Sequence, residues 1–247
     1  GVVSYPDLLL LDLPKESPLR RPIEVIQESG KKAAAIVQDL LTLARRGVAV
    51  SEVVNLNNLI ADYLASPELA RLSTSHPLVT VETRLDPTLL NVQGSPVHLS
   101  KTIMNLVSNA TEAMPAGGCI HIATENRCLE EPLHGYHEIP PGDYARLRVT
   151  DSGVGISAED LQRIFEPFYT KKKMGRSGTG LGMAVVWGTV KDHAGYIDIR
   201  SSEGQGTSVD LYFPITRQEL PHREAGRTLD AWRGKGESVL VVDDVPD

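Results

Sequence analysis

Between Leu19 and Arg46 the apolar positions Ile23, Ile26, Ala33, Val37, Leu40 and Ala44 recur at spacings of three, four and seven. That period predicts one long helix with a narrow apolar stripe, the kind of seam found in coiled coils and helix bundles. Arg45 and Arg46 suit the negative end of the helix dipole, and Gly47 is a natural stop. Residues 1–13 are apolar and read as the tail of an earlier helix, with Pro14-Lys15-Glu16-Ser17-Pro18 as a tight connection. Two helices joined in this way form an antiparallel hairpin, and its single seam predicts dimerisation.

The pattern changes after Ser51. Val53–Tyr63 is expected to be a short helix, and Val79–Leu85 alternates as a strand does. Leu99–Met114 reads as a helix ended by Pro115-Ala116-Gly117-Gly118. Cys119–Glu125 and Tyr144–Thr150 alternate as strands around a polar loop, residues 126–143. Asp160–Phe165 and Met183–His193 are expected helices, the second behind a glycine-rich loop. Tyr196–Ser201 and Thr207–Pro214 read as a terminal hairpin. Strict βαβ alternation is missing, so the expected class is α+β: a two-layer α/β sandwich with one sheet covered by helices. The expected organisation is a partial helical hairpin (1–48), a sandwich domain (49–216), a polar linker (217–236) and the opening strand of another domain (237–247).

Composition narrows the setting. Hydrophobic residues make up 41% and charged residues 23%, which is ordinary for a globular protein. No apolar run approaches the roughly 18–20 residues that span a bilayer, and no signal peptide opens the chain. The two cysteines, Cys119 and Cys128, form no disulfide framework, and neither shows CxxC or Cys/His zinc spacing. A net charge of −7 argues against a nucleic-acid surface. The expectation is a soluble cytoplasmic protein.

Four features carry chemistry. Asn105 and Asn109 lie four residues apart and would share one helix face. Their carboxamides could offer oxygen to a hard cation such as Mg²⁺, or simply face solvent. Asp151-Ser152-Gly153-Val154-Gly155 follows a strand directly. Its aspartate could accept a hydrogen bond from an exocyclic amine while the glycines admit a flat ring; a plain turn is the other reading. Phe165-Glu166-Pro167-Phe168-Tyr169-Thr170, then Lys171-Lys172-Lys173 and Arg176, resembles an anchored basic lid over polyphosphate, or a solvated loop. Ser177-Gly178-Thr179-Gly180-Leu181-Gly182 opens a helix, where backbone amides can hold phosphate. Each is weak alone, but their order within about 80 residues is specific.

With these motifs, residues 8–216 resemble the histidine-kinase branch of the GHKL superfamily, which includes gyrase, Hsp90 and MutL and has the Bergerat ATP-binding fold. The resemblance implies ATP and Mg²⁺ as cofactors. Asn109 would be the Mg²⁺ ligand, with Asn105 beside it on the phosphate and metal side. Asp151 would accept from the adenine amine, with Gly153 and Gly155 lining the base and Thr207 supporting the contact. Phe165 and Phe168 would anchor the lid, Lys172 and Arg176 would reach phosphate, and Gly178, Gly180 and Gly182 would surround it. Tyr169, Thr179 and Leu181 complete the expected nucleotide set. Hydrolytic members carry a carboxylate four residues before the metal asparagine as general base. Asn105 stands there instead, and an amide cannot take that proton.

The hairpin ending QDLLTLARRG resembles the second helix of a dimerisation and phosphoacceptor domain. None of the seven histidines matches the acceptor, so the chain is expected to bind nucleotide without phosphorylating itself. VLVVDD near the end resembles the first strand and acidic pocket of a response-regulator receiver domain. The implied reaction is γ-phosphoryl transfer from ATP to a histidine on the protein's own phosphoacceptor helix, then to a receiver aspartate. The alternatives are a GHKL-type ATPase and a dimeric scaffold that no longer binds nucleotide.

Overall fold

The computed structural model describes residues 2, 4–44, 51–170 and 179–220. It begins with a helical hairpin, α1 (Ser4–Asp12) and α2 (Arg20–Ala44). Arg20 closes the turn by donating to the carbonyls of Leu10 at 3.0 Å and Leu13 at 2.8 Å, which α1 leaves unpaired at its end. Among the described residues much of the α2 stripe is uncovered: Ile26 and Val37 are 54% and 55% exposed. The C-terminal turns of α2 do reach the body of the protein, where Asp39 is buried and pairs with Lys101 at 3.2 Å.

The body runs β1 (Glu52–Val54), α3 (Leu56–Leu64), α4 (Pro67–Ser75), β2 (Val79–Arg84), β3 (Asn91–Gly94) and α5 (Pro96–Glu112). It continues with β4 (Gly118–Leu129), β5 (Leu133–His134), β6 (Glu138–Ile139), β7 (Gly142–Asp151) and α6 (Ala158–Arg163). It closes with α7 (Gly182–Asp192), β8 (Tyr196–Ser201) and β9 (Thr207–Thr216). The main sheet has the order β1-β3-β9-β7-β4-β2, with β8 also on β9. Among the described residues only the β2–β4 pair of this sheet is parallel.

Alternation along the strands sends Ile120 and Ile122, Leu147 and Val149, and Val209, Leu211 and Phe213 to one face. There they meet Leu99, Ile103, Leu106 and Val107 of α5 and Val186 and Val190 of α7. Burying each such side chain is worth about 1.5–3 kcal/mol, so this layer holds the two helices on the sheet. The opposite face is partly covered by residues 130–141. Ile139 joins Tyr144 and Tyr212 in a second small cluster. On that face the buried Asp210 receives Arg148 at 2.7 and 2.8 Å.

Three expectations needed revision. Val53–Tyr63 is not one helix. Asn55, extended at φ −104 and ψ 123, divides strand β1 from α3, and its side chain caps α3 by accepting from the Asn57 amide. Residues 126–143 are not a plain loop, since β4 and β7 stay paired as far as Leu129 and Gly142, with β5 and β6 between them. Helix α4 was not foreseen, although Ser66-Pro67 is an ordinary start signal, and strand β3 was missed as well. Arg45, Arg46 and the whole 237–247 segment lie outside the described residues.

A histidine at the end of α7 helps to fix how α5 and α7 meet. His193, at the end of α7, accepts the Ser95 amide at Nε2 (2.9 Å). Its Nδ1 faces the Thr189 carbonyl at 2.6 Å, so the network assigns the proton to Nδ1. A Cβ on Gly94 would lie 2.2 Å from the ring, so glycine is required there. Burial, then the nearby His98, hold the His193 pKa below its ordinary value, with the Thr189 carbonyl and Asp192 opposing. The unfolded chain takes up the proton first as pH falls. Stability from this group is therefore present above about pH 6.5 and lost below it. The melting temperature is expected to fall on acidification through that window, and His193→Gln should flatten that part of the profile. Identical profiles for both proteins would remove His193 from the account.

Candidate functional site

A cavity of about 770 Å³ opens between α5, the end of β7, the 152–157 loop, α6 and the start of α7. Asn105 and Asn109 line it from α5. Asn105 is buried and donates to the Gly182 carbonyl at 3.2 Å. A Cβ on Gly182 would come 3.7 Å from the Asn109 amide, so both carboxamides sit beside the first turn of α7. The residue before that helix, Leu181, makes no side-chain cap. The positive end of the α7 dipole thus meets the cavity next to two amide side chains.

Asp151 ends β7 between its partners Ile120 and Thr207. It is buried, and its Oδ1 accepts from the Gly153 amide at 2.8 Å and the Thr207 amide at 3.3 Å. Burial is the main influence and raises its pKa, while the two amides pull the other way. Thr207 therefore reaches the aspartate through its backbone, and its hydroxyl pairs with Ser201 at 3.0 Å. Gly155 lines the cavity at φ +71, where a Cβ would lie 2.0 Å from the Ser202 carbonyl. Gly153 is packed against the Ala113 carbonyl, and the Val154 amide donates to that same oxygen at 3.0 Å.

The two phenylalanines of the lid motif part company. Phe165 is packed, 4.9 Å from Trp187 and 5.4 Å from Tyr136. Phe168 is 60% exposed at φ 66 and does not line the cavity. The expectation that it anchors the lid by its ring is therefore corrected: its backbone does the work, donating to the Gly180 carbonyl at 2.9 Å. That bond ties position 168 to position 180. Tyr169 lines the cavity, its hydroxyl held by Asp160 and its ring beneath Arg163 at 4.1 Å. Thr179 and Gly180 line it as well, whereas Leu181 is fully buried in the fold. Lys172, Arg176 and Gly178 lie outside the described residues.

Sequence reasoning did not name the apolar walls, Leu106, Val149, Ile164, Met183 and Val209. Alternation could have found two of them, because Val149 and Val209 share a face with Asp151 and Thr207. Asp39 also lines the cavity from α2, and only the docking of the hairpin brings it there.

Residues 94–217 match the model of the histidine kinase-, DNA gyrase B- and HSP90-like ATPases. The chain belongs to this family. It carries the ATP-binding domain found in sensor histidine kinases. It is similar to the sensor kinase CckA of Brucella abortus, at 34% identity over 89% of this chain and 23% of that protein. Its fold resembles full-length ShkA in complex with AMPPNP, with a TM-score of 0.66 at 21% identity over 90% of this chain and 43% of that one. It also resembles the mycobacterial sensor histidine kinase MprB, with a TM-score of 0.51 at 25% identity over 67% of this chain and 98% of that one. The chain spans between 23% and 39% of the length of the curated relatives it matches. Among the described residues, no helix is long and apolar enough to cross a membrane.

Two glycines of this kinase-like domain offer a controlled comparison. Gly204 and Gly206 have φ of +77 and +78, but a Cβ on Gly204 meets nothing within 4 Å. On Gly206 it would lie 2.0 Å from the Asp151 carbonyl. Gly204→Ala is expected to cost roughly 1–2 kcal/mol, the left-handed backbone penalty alone. Gly206→Ala should cost about 1–3 kcal/mol more, because the turn must also move away from Asp151. Chemical denaturation of both variants checks this, and equal losses would contradict the packing described.

Proposed function

We propose that this chain is the ATP-binding catalytic core of a two-component sensor histidine kinase. In this reading it transfers the γ-phosphoryl group of Mg·ATP to a histidine of the protein's own phosphoacceptor helix, and from there to a receiver aspartate. The observation that carries the reading is the state of Asp151. It is buried at the cavity wall with Oδ1 engaged by two backbone amides, which leaves Oδ2 to accept from an adenine amine. A carboxylate in that position recognises a donor where adenine has one and meets an acceptor where guanine has its oxygen.

Gly155 opens the wall to the flat base, with Val149 and Val209 behind it. The triphosphate would run toward Asn105, Asn109 and the α7 amides, with Gly178, Gly180 and Gly182 around it and Lys172 and Arg176 as phosphate contacts. The donor set fits Mg²⁺, which takes few protein oxygens and fills its octahedron from phosphate and water. Asn109 would supply the protein oxygen, and the metal would neutralise charge on the β- and γ-phosphates. Asn105 is already tied to Gly182, so its part is to hold the helix terminus against the phosphates. Catalysis by such a site rests on positioning and charge, and an amide at this place favours transfer over hydrolysis.

The helical hairpin (1–48), the catalytic domain (49–216), a linker (217–236) and a receiver strand (237–247) form the proposed layout. The exposed stripe of α2 supports a homodimer through the hairpin, and a fused or separate receiver domain is the second partner. Two free cysteines agree with a cytoplasmic setting.

Calorimetric titration with a non-hydrolysable ATP analogue and Mg²⁺ tests this. One site per chain is expected, with a guanine analogue failing to bind. Asp151→Ala should weaken affinity about 10- to 150-fold, the worth of a hydrogen bond to a charged group. Unchanged affinity in that variant would sink the adenine assignment.

A further inference from the structure

The face of the sheet opposite the α5–α7 layer holds a second cluster. Strand β4 alternates so that Ile120 and Ile122 enter the core while Cys119 and His121 face outward together. In the parallel β2–β4 register, Glu82 stands directly opposite His121. Its Oε2 is 3.4 Å from His121 Nδ1, and the ligand atoms of Glu82, Cys119 and His121 all lie within 4.8 Å of one another. Tetrahedral zinc bonded at about 2.0–2.3 Å holds its ligands roughly 3.3–3.8 Å apart. The Glu82–His121 spacing already meets this, and the Cys119 sulfur would close from within 4.8 Å.

We propose that Glu82, Cys119 and His121 form a binding site for a borderline divalent cation of the zinc class. One thiolate, one imidazole and one carboxylate are the donors such an ion selects over Mg²⁺, which prefers oxygen alone. Three protein ligands leave the fourth position to water or a further ligand. Binding forms one bond each from sulfur, nitrogen and oxygen to the metal, and releases the Cys119 thiol proton to solvent. The site is built on rigid backbone, because β4 is hydrogen-bonded to β2 on one side and β7 on the other. Cys119 is further fixed through its amide, which donates to Ser152 Oγ at 3.2 Å beside Asp151. The short Cys-x-His spacing gives no helical signature, and the sheet register alone brings Glu82 to it.

Cobalt serves as the spectroscopic probe on the full chain, with Cys128→Ser as background because Cys128 is the other free thiol. Addition of Co²⁺ is expected to produce a thiolate-to-cobalt charge-transfer band and tetrahedral ligand-field bands, displaced by Zn²⁺ and unaffected by excess Mg²⁺. Cys119→Ser should abolish the charge-transfer band. His121→Ala and Glu82→Gln should each weaken Zn²⁺ affinity by at least about tenfold. All three positions face solvent or lie partly exposed, so melting temperatures measured in chelator should match the parent and exclude misfolding. Absence of the band in the Cys128→Ser background, or its survival in Cys119→Ser, overturns the proposal. So does Zn²⁺ affinity unchanged by His121→Ala and Glu82→Gln.

Discussion

The buried carboxylate of Asp151 is the constraint around which this domain is arranged. Removing a carboxylate from water is costly unless hydrogen bonds replace the solvent, and here two backbone amides do so. Those amides belong to different segments: Gly153 in the loop that follows β7, and Thr207 at the head of β9. Holding both on one oxygen requires the β8–β9 turn to fold back over the end of β7. Gly206 permits that only because it has no Cβ. The Val154 amide bond to Ala113 then ties the same loop to the end of α5. A single buried charge thus draws three elements to one corner of the cavity.

The opposite corner is set by contacts between α5 and α7. His193 receives the Ser95 amide at one end of the pair, and Asn105 donates to the Gly182 carbonyl at the other. Both are polar bonds across an otherwise apolar interface, so they fix the rotation and slide of the two helices more sharply than aliphatic packing would. The uncapped start of α7 therefore stays beside Asn105 and Asn109. Helix α2 adds a carboxylate, Asp39, at this wall, neutralised by Lys101. The helical hairpin and the cavity wall consequently share an electrostatic contact as well as a chain.

Much of this could be read from residue order. Helical spacing gave α2, alternation gave β2, β4 and β7, and the flanking turns gave α5, α7 and the β8–β9 hairpin; all of these but α2 bury one face against a continuous core. The paired asparagines, the DxGxG segment and the glycine-rich helix entry were legible as chemistry for the same local reason: each places its functional groups within a turn or two of backbone. Reading failed where side chains had two roles. Asn55 looked like part of a polar helix entry but caps α3 after a strand. Phe168 looked like an apolar anchor, yet its ring is exposed while its backbone makes the bond that matters.

The sequence by itself determined most of the element types, the α+β class and the candidate groups for meeting a nucleotide, since these follow from periodicity and side-chain chemistry over short spans. Tertiary structure decided which of those groups share a cavity, which oxygen of Asp151 is engaged and that Asp39 joins them from the hairpin. It also decided that Glu82 stands beside Cys119 and His121. Each of these depends on strand register or helix docking between residues dozens of positions apart, and no local pattern encodes a register set by the packing of the whole sheet.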